Sequence, residues 1–371
     1  MARRVLAAAA LVALVPPAAL AGTTTPAQSW AEPQIEAVTA LGLMGATDPA
    51  KFRPNDPLTR GALANLVAGL QSQAQQAAAA AADPTETGPA VTTTTATGAT
   101  PSAPQPVADA GAPATMAQLD AQLVAALGLA PAASQFAKAF RAAGLAVPSR
   151  FGTEVVARLL GLRTDHPAAQ DELELLPFDP ATRAEAAFSA AQILRFSGWE
   201  TGAIETAAAT FALPQLTPWQ KSILDTAVRF IGYPYVWGGE SEGPQVNASG
   251  VRSPGGFDCS GFVWRVYKLQ AYAGEGGLAG TLRGRTTYVM SGEVPRPQRI
   301  AFADLQPADV LFFGAKGPKS KPAQVDHMGI YLGNGWFIHS SGYGVAIAQL
   351  AGWYRSELAW ARRPLAEAGL T

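Results

Sequence analysis

The stretch 71–114, QSQAQQAAAAAADPTETGPAVTTTTATGATPSAPQPVADAGAPA, contains almost no large apolar side chain. A segment of that kind cannot remove enough apolar surface from water to offset the entropy lost on ordering it. Its Ala-rich start can extend a preceding helix. The remainder reads as a linker, placed at 71–115, which no hydrophobic core can include.

Outside that stretch the composition is that of folded material. Of the 371 residues 48% are hydrophobic and 15% charged, with a formal net charge of -1. No large field of either sign exists to recruit a polyanion, so nucleic acid is not expected as a partner. The first residues, MARRVLAAAALVALVPPAALAG, combine two arginines, a short apolar run, Pro16-Pro17 and the small residues Ala19 and Ala21. That pattern predicts a secretory signal over residues 1–21 with cleavage before Gly22; a retained membrane anchor is the alternative. No cysteine follows the run, which excludes a lipoprotein anchor, and the mature protein is expected outside the cytoplasm.

Residues 29–70 read as helix, turn, helix. Ile35, Val38, Leu41 and Leu43 have near-helical spacing, Thr59 reads as an N-cap, and Leu63, Leu66, Val67 and Leu70 form the next apolar stripe. Residues 116–199 are helical again. They contain LPFDPATRAEAAFSAAQIL, which repeats the Pro-x-Asp-Pro-x-Thr-Arg pattern of RPNDPLTRGALANLVAGL at the same loop-to-helix position. The first copy resembles the S-layer homology module through Trp30, Gly42, Gly45, Phe52, Pro54, Asn55, Thr59 and Arg60. A degenerate second copy, 151–194, keeps Thr182-Arg183-Ala184-Glu185 but no clear glycine turn. The resemblance implies modules that come in threes and bind anionic cell-wall polysaccharide, with Arg60, Arg183 and Trp30 as polymer contacts. The alternative is that each arginine only ties down its own loop. His166, in RTDHPAAQ, reads as a solvated loop residue.

The segment 216–371 replaces alanines with aromatics, glycines and alternating apolar runs. Thr217 reads as the N-cap of a helix with Ile223, Ala227, Phe230 and Ile231 inward. Within PGGFDCSGFVWRVY stands Cys259, the only cysteine of the chain, followed by the helical stripe Phe262, Val263, Val266 and Leu269. An exported chain with one thiol cannot pair it internally, so the thiol is inert, an intermolecular link, or reactive. At a helix N-terminus its pKa, ordinarily about 8.5, is expected to fall.

The remaining histidines lie in VDHMGIYLGNGWFIHSSG, read as two strands joined near Gly333-Asn334-Gly335. Parity constrains them. A plain two-residue turn puts His327 and His339 on opposite faces of the hairpin. An odd connection or a bulge sets His339 opposite Gly329 and makes His327 its same-face diagonal neighbour. Asp326 then faces away. One thiol and two imidazoles are the inventory of a nucleophile, its base and a group orienting the base. Zinc is the alternative for such a set, but the short-spaced ligand pairs of zinc sites are absent, so no metal or cofactor is expected.

Five ordered motifs, YPYVWGG, FDCSGFV, DVLFF, HMGIYLGNG and FIHSS, resemble the NlpC family of papain-like cell-wall peptidases. The resemblance implies an α+β fold in which a helix carrying Cys259 packs on an antiparallel sheet carrying the histidines, preceded by small all-α modules. It implies Cys259 as nucleophile, His327 as base and His339 as orienting residue, acting on stem peptides of peptidoglycan at bonds such as D-γ-glutamyl-diamino acid. Tyr235 matches a residue that lines the site and assists the oxyanion. Asp258 matches one that holds a substrate amine, with capping of the helix start as the alternative; Ser260 and Trp237 are expected to contact substrate beside it. An amidase or acyltransferase on the same fold, or a non-catalytic wall-binding protein, are the rival readings. Two departures stand out: a long loop over 240–256, which could narrow the groove, and Ala308 where the family often has glycine. The Lys-rich KGPKSKP, 316–322, reads as a solvated basic loop or a contact for acidic substrate groups.

Overall fold

The computed structural model describes residues 29–45, 48–81, 107–164, 166, 175–247, 250 and 252–370. The signal at 1–21 and most of the linker lie outside the described residues.

The N-terminal half is built of helices α1 (Glu32–Ala40), α2 (Arg60–Ala81), α3 (Met116–Ala126), α4 (Ala130–Ala142), α5 (Phe151–Leu159), α6 (Arg183–Ile193) and α7 (Trp199–Thr210). Three of them start alike: Thr59, Thr115 and Thr182 each accept a hydrogen bond from the backbone N–H three residues on, satisfying an orphan donor of the first turn. The residues before these caps close a ring. Leu58 N–H donates to Ala181 O, Ala181 N–H to Ala114 O, and Ala114 N–H to Leu58 O, with antiparallel bridges Pro57–Thr182, Thr59–Pro113 and Thr115–Pro180. The repeat therefore has a third member, Pro113-Ala114-Thr115, which the sequence hides because Met116 stands where the other two have arginine. The ring also takes in the end of the Ala/Thr/Pro stretch: Ala114 is fully buried there, which corrects the expectation that no core includes any of 71–115, because 113–115 pairs with 57–59 and 180–182.

The C-terminal half is α+β. Helix α8 (Pro218–Arg229) begins with a Thr217–Gln220 capping box. The long loop is a two-step hairpin, β1 (Glu240–Ser241) pairing with β4 (Gly256–Phe257) and β2 (Gln245–Val246) with β3 (Arg252–Ser253). Helix α9 (Cys259–Trp264) then packs on a five-stranded antiparallel sheet of order β8-β7-β6-β5-β9, formed by β5 (Val310–Phe313), β6 (His327–Gly333), β7 (Trp336–Ser341), β8 (Gly344–Gln349) and β9 (Leu358–Arg362). Ala308, just before β5, has φ +68. This left-handed backbone favours glycine and explains why a glycine suits that position.

The halves share one contiguous hydrophobic cluster running from Ala31 to Leu365. Arg158 of α5 donates hydrogen bonds to Tyr343 O and Gly232 O, and Arg150 to Arg229 O and Ile231 O, so arginines of the helical half hold backbone of the sheet half.

Candidate active site

Cys259 is the first residue of α9, and Asp258 is its N-cap. Gly261 makes this start possible: a Cβ there would come 1.8 Å from Gly239 O, so only glycine lets the helix settle on the YPYVWGG segment. Ser340 Oγ of β7 donates to Phe257 O at 2.6 Å, fixing the cysteine loop to the strand that carries His339. Cys259 is buried at 7% exposure. Its Sγ lies 3.6 Å from Thr287 Oγ1, on α10 (Thr287–Gly292), and 4.0 Å from the carbonyl oxygen of Asp326, the residue before His327.

A bulge in the hairpin sets which face each histidine occupies. Ile330 pairs with Ile338 and Tyr331 with Phe337, then the register slips so that Gly333 meets Trp336. The two imidazoles consequently share a face, and His327 Nε2 lies 2.7 Å from His339 Nδ1. Gly329 sits opposite His339, where a Cβ would come 3.0 Å from His339 Cβ and 2.9 Å from the Phe337 ring. Tyr354, on α11 (Gly352–Glu357), packs against both imidazoles, edge-on to His339 at 5.3 Å between centroids and tilted to His327 at 6.4 Å.

The electrostatics depart from expectation at the sulfur. Burial, and after it the nearby Asp258 carboxylate, push the Cys259 thiol up to about 11, against the pull of hydrogen bonds from Thr287 and backbone amides. The helix-start position does not outweigh desolvation. Burial pulls His327 down to about 4, and burial followed by the neighbouring His327 holds His339 well below the usual imidazole range. Thiol and both imidazoles are therefore neutral at rest.

Asp258 is occupied within the fold. It accepts hydrogen bonds from Gly238 N–H, Gly261 N–H and Ser260 Oγ–H, and Arg285 Nη1 lies 3.3 Å from it. Arg285 also reaches Glu240 of β1, Ser260 Oγ at 2.8 Å, and the carbonyls of Gly238 and Gly239. Ser260 is buried, Tyr235 half-buried and bridged to Phe257, and Trp237 72% exposed beside them. Neither Arg285 nor Thr287 nor Tyr354 was legible in the sequence; a bare Arg-Thr-Thr and a Trp-Tyr carry no periodic or spacing signal. Among the described residues, no group of three or more His, Cys, Asp or Glu is placed to hold a metal ion.

In the helical half, Arg183 donates to Phe52 O at 2.7 Å and to Met44 O, with its guanidinium 4.4 Å over the Phe52 ring. It thus ties down the loop of the first module. Arg60 faces Asp109 at 3.8 Å and is partly exposed. Trp30 stacks on His166 at 4.3 Å. His166 is buried and lies 3.3 Å from Glu185, which corrects the solvated-loop expectation: the ring fills space under Trp30.

Residues 232–363 match the NlpC/P60 family model, and residues 25–64 match the S-layer homology domain. The chain carries an NlpC/P60 domain. Parts of the chain are similar to a probable endopeptidase of Mycobacterium tuberculosis, 33% identical over 126 residues, which make up 34% of this chain and 24% of that protein. They are also similar to the gamma-D-glutamyl-L-lysine dipeptidyl-peptidase of Bacillus subtilis, 30% identical over 155 residues, or 40% of this chain and 42% of that one. A solved NlpC/P60 family protein from Bacillus cereus is 28% identical with a TM-score of 0.30, covering 42% of each chain. The chain spans less than half the length of these relatives.

Proposed function

We propose that this protein is a peptidoglycan endopeptidase that cuts stem-peptide bonds through Cys259, with His327 as base and His339 as orienting residue. The observation that carries the reading is the 2.7 Å pairing of His327 with His339, together with the Cys259 sulfur 4.0 Å from the carbonyl oxygen of Asp326, the residue before His327. The name of the Bacillus subtilis relative, a gamma-D-glutamyl-L-lysine dipeptidyl-peptidase, supports the substrate class.

His339, kept neutral by burial, accepts from His327 Nε2–H through its Nδ1; this tautomer leaves the lone pair of His327 on Nδ1. His327 takes the thiol proton as sulfur attacks the peptide carbonyl, gives it to the departing amine, and then activates water to release the thioester. Because the thiol rests protonated, attack and proton transfer are coupled rather than sequential. Asp258, with Arg285 and Ser260, acts as a structural cap in this reading, while exposed Trp237 and half-buried Tyr235 offer the substrate a wall. The N-terminal modules hold the enzyme at the wall in its extracellular setting, with Arg60 and Trp30 as the candidate polymer contacts and Arg183 as a brace.

The test is digestion of purified peptidoglycan and defined muropeptides with product masses, using Cys259→Ala as control. New amino termini within the stem, absent with Cys259→Ala, are expected. Cleavage that survives Cys259→Ala defeats the reading, and acyl-transfer products replace it with transferase chemistry.

A further inference from the structure

The basic loop before His327 is part of a cleft of about 550 Å³ on the outer edge of β9, lined by Arg296, Arg299, Lys319, Ser320 and Trp360 among others and by no carboxylate. Segment 299–301 forms one wall: Ile300 exchanges two backbone hydrogen bonds with Ala361. Arg299 lies 3.6 Å over the Trp360 ring, and burial together with the repelling Arg296 charge lowers its pKa. Among the described residues, Arg296, Arg299 and Lys319 have no acidic partner and the indole N–H of buried Trp360 has no hydrogen-bond acceptor. Arg296 and Lys319 are exposed and Arg299 half-buried, so three like charges face solvent over a buried donor without an acceptor, a field that favours an anion.

The cleft is tied to the cysteine. Trp360 pairs with Phe312 and Phe312 with Met328, so β9 is two strand spacings, roughly 10 Å, from the strand of His327. Pro322, the last residue of the basic loop, packs on Gly292 at the end of the helix whose first residue, Thr287, touches the sulfur.

The geometry points to this cleft as a subsite for a free carboxylate of the peptide stem whose bond Cys259 cuts. Arg296 and Lys319 attract the carboxylate and Arg299, braced on Trp360, receives it. The inference rests on the endopeptidase reading. It is tested with the full-length protein on two muropeptides that differ only in a free or an amidated carboxyl at the stem terminus. The carboxylate form is expected to show about tenfold lower KM, a gap that added salt narrows. Arg296→Ser/Lys319→Ser, which keeps Arg299, is expected to narrow the gap to about threefold with kcat within about twofold of wild type, and calorimetry on Cys259→Ala should show the full discrimination in binding. This double variant leaves the Arg299–Trp360 stack intact, so it does not depend on tolerance of a buried change. Equal KM for acid and amide in wild type, equal loss for both in the variant, or competition by a phosphodiester polymer but not by the stem acid overturns the subsite. Binding discrimination without any hydrolysis by wild type would instead overturn the endopeptidase reading and leave the subsite standing.

Discussion

Cys259 combines two opposing influences within a few ångströms. Its place at the start of α9 and the hydrogen bond from Thr287 favour the thiolate, while burial and the Asp258 carboxylate oppose it, and the balance puts the thiol at about 11. A preformed thiolate–imidazolium pair is therefore absent at neutral pH. In the free protein, alkylation of Cys259 by iodoacetamide should keep accelerating as pH rises past 9; a plateau below pH 7 would mean a preformed ion pair and overturn the neutral resting state. His327, pulled to about 4, acts only when neutral, so kcat/KM should fall on the acid side near pH 4 rather than near 6.5. The sign for stability follows from the same groups. The unfolded chain takes up protons on histidine below about 6.5, whereas buried His327 does not until about 4 and buried His339 is likewise held well below the usual range. Stability is thus fully present above about pH 6.5 and is lost as pH falls from there through about 4. Ala308 makes a separate case. With φ +68 and almost no exposure it holds a conformation costly for an L side chain, so Ala308→Gly should raise stability by about 0.5 kcal/mol, read by thermal unfolding; a loss would show that its methyl packing outweighs the strain.

At the scale of elements, the active site depends on two close approaches that tolerate no side chain: α9 on Gly239 through Gly261, and β7 on β6 through Gly329. Gly261→Ala must move α9 away from a backbone carbonyl, which costs about 3 kcal/mol and displaces Cys259. The expected result is a lowered unfolding midpoint together with a loss in kcat larger than the change in KM. Retained wild-type kcat would mean that the position of the sulfur is not set by this contact. The elements also show what a sequence reveals. The caps at Thr59 and Thr217, the helix start at Cys259 and the strands around the two histidines follow from local spacing, and parity reduced the histidine problem to one question, which the bulge near Leu332 answers. Arg285 escaped because its partners, Glu240, Asp258 and Ser260, are distant in sequence, and the hairpin of 240–257 escaped because its strands have two residues each. The third repeat member escaped because its arginine is replaced by Met116, leaving only backbone pairing to reveal it.

At the scale of the whole molecule, the helical half is bound to the sheet half by buried charge as well as by apolar packing. Glu154 and Arg158 lie 3.6 Å apart on α5, both almost fully buried. Burial, then the nearby Asp120 charge, raise the Glu154 carboxyl to about 7 despite Arg158 and Arg163. Arg158 in turn holds Tyr343 O in the β7–β8 turn and Gly232 O at the start of the segment that carries Tyr235. Arg158→Met would strip both carbonyls of their donor and leave Glu154 buried without its neighbour, a change worth about 3–5 kcal/mol. The double variant Glu154→Leu/Arg158→Met removes the stranded carboxylate and should recover a large part of that loss, since two adjacent groups couple rather than add. With one core running through both halves, wild type should unfold in a single transition in denaturant, whereas Arg158→Met should separate the helical from the sheet transition. Two transitions already present in wild type would mean that the halves fold independently and that Arg158 is a local brace. In the coupled case kcat on small muropeptides should fall with Arg158→Met although the residue is remote from the sulfur, because the Gly232 end of the Tyr235 segment loses its anchor. A residue in the half that carries the S-layer homology module would then set the shape of the wall beside Cys259.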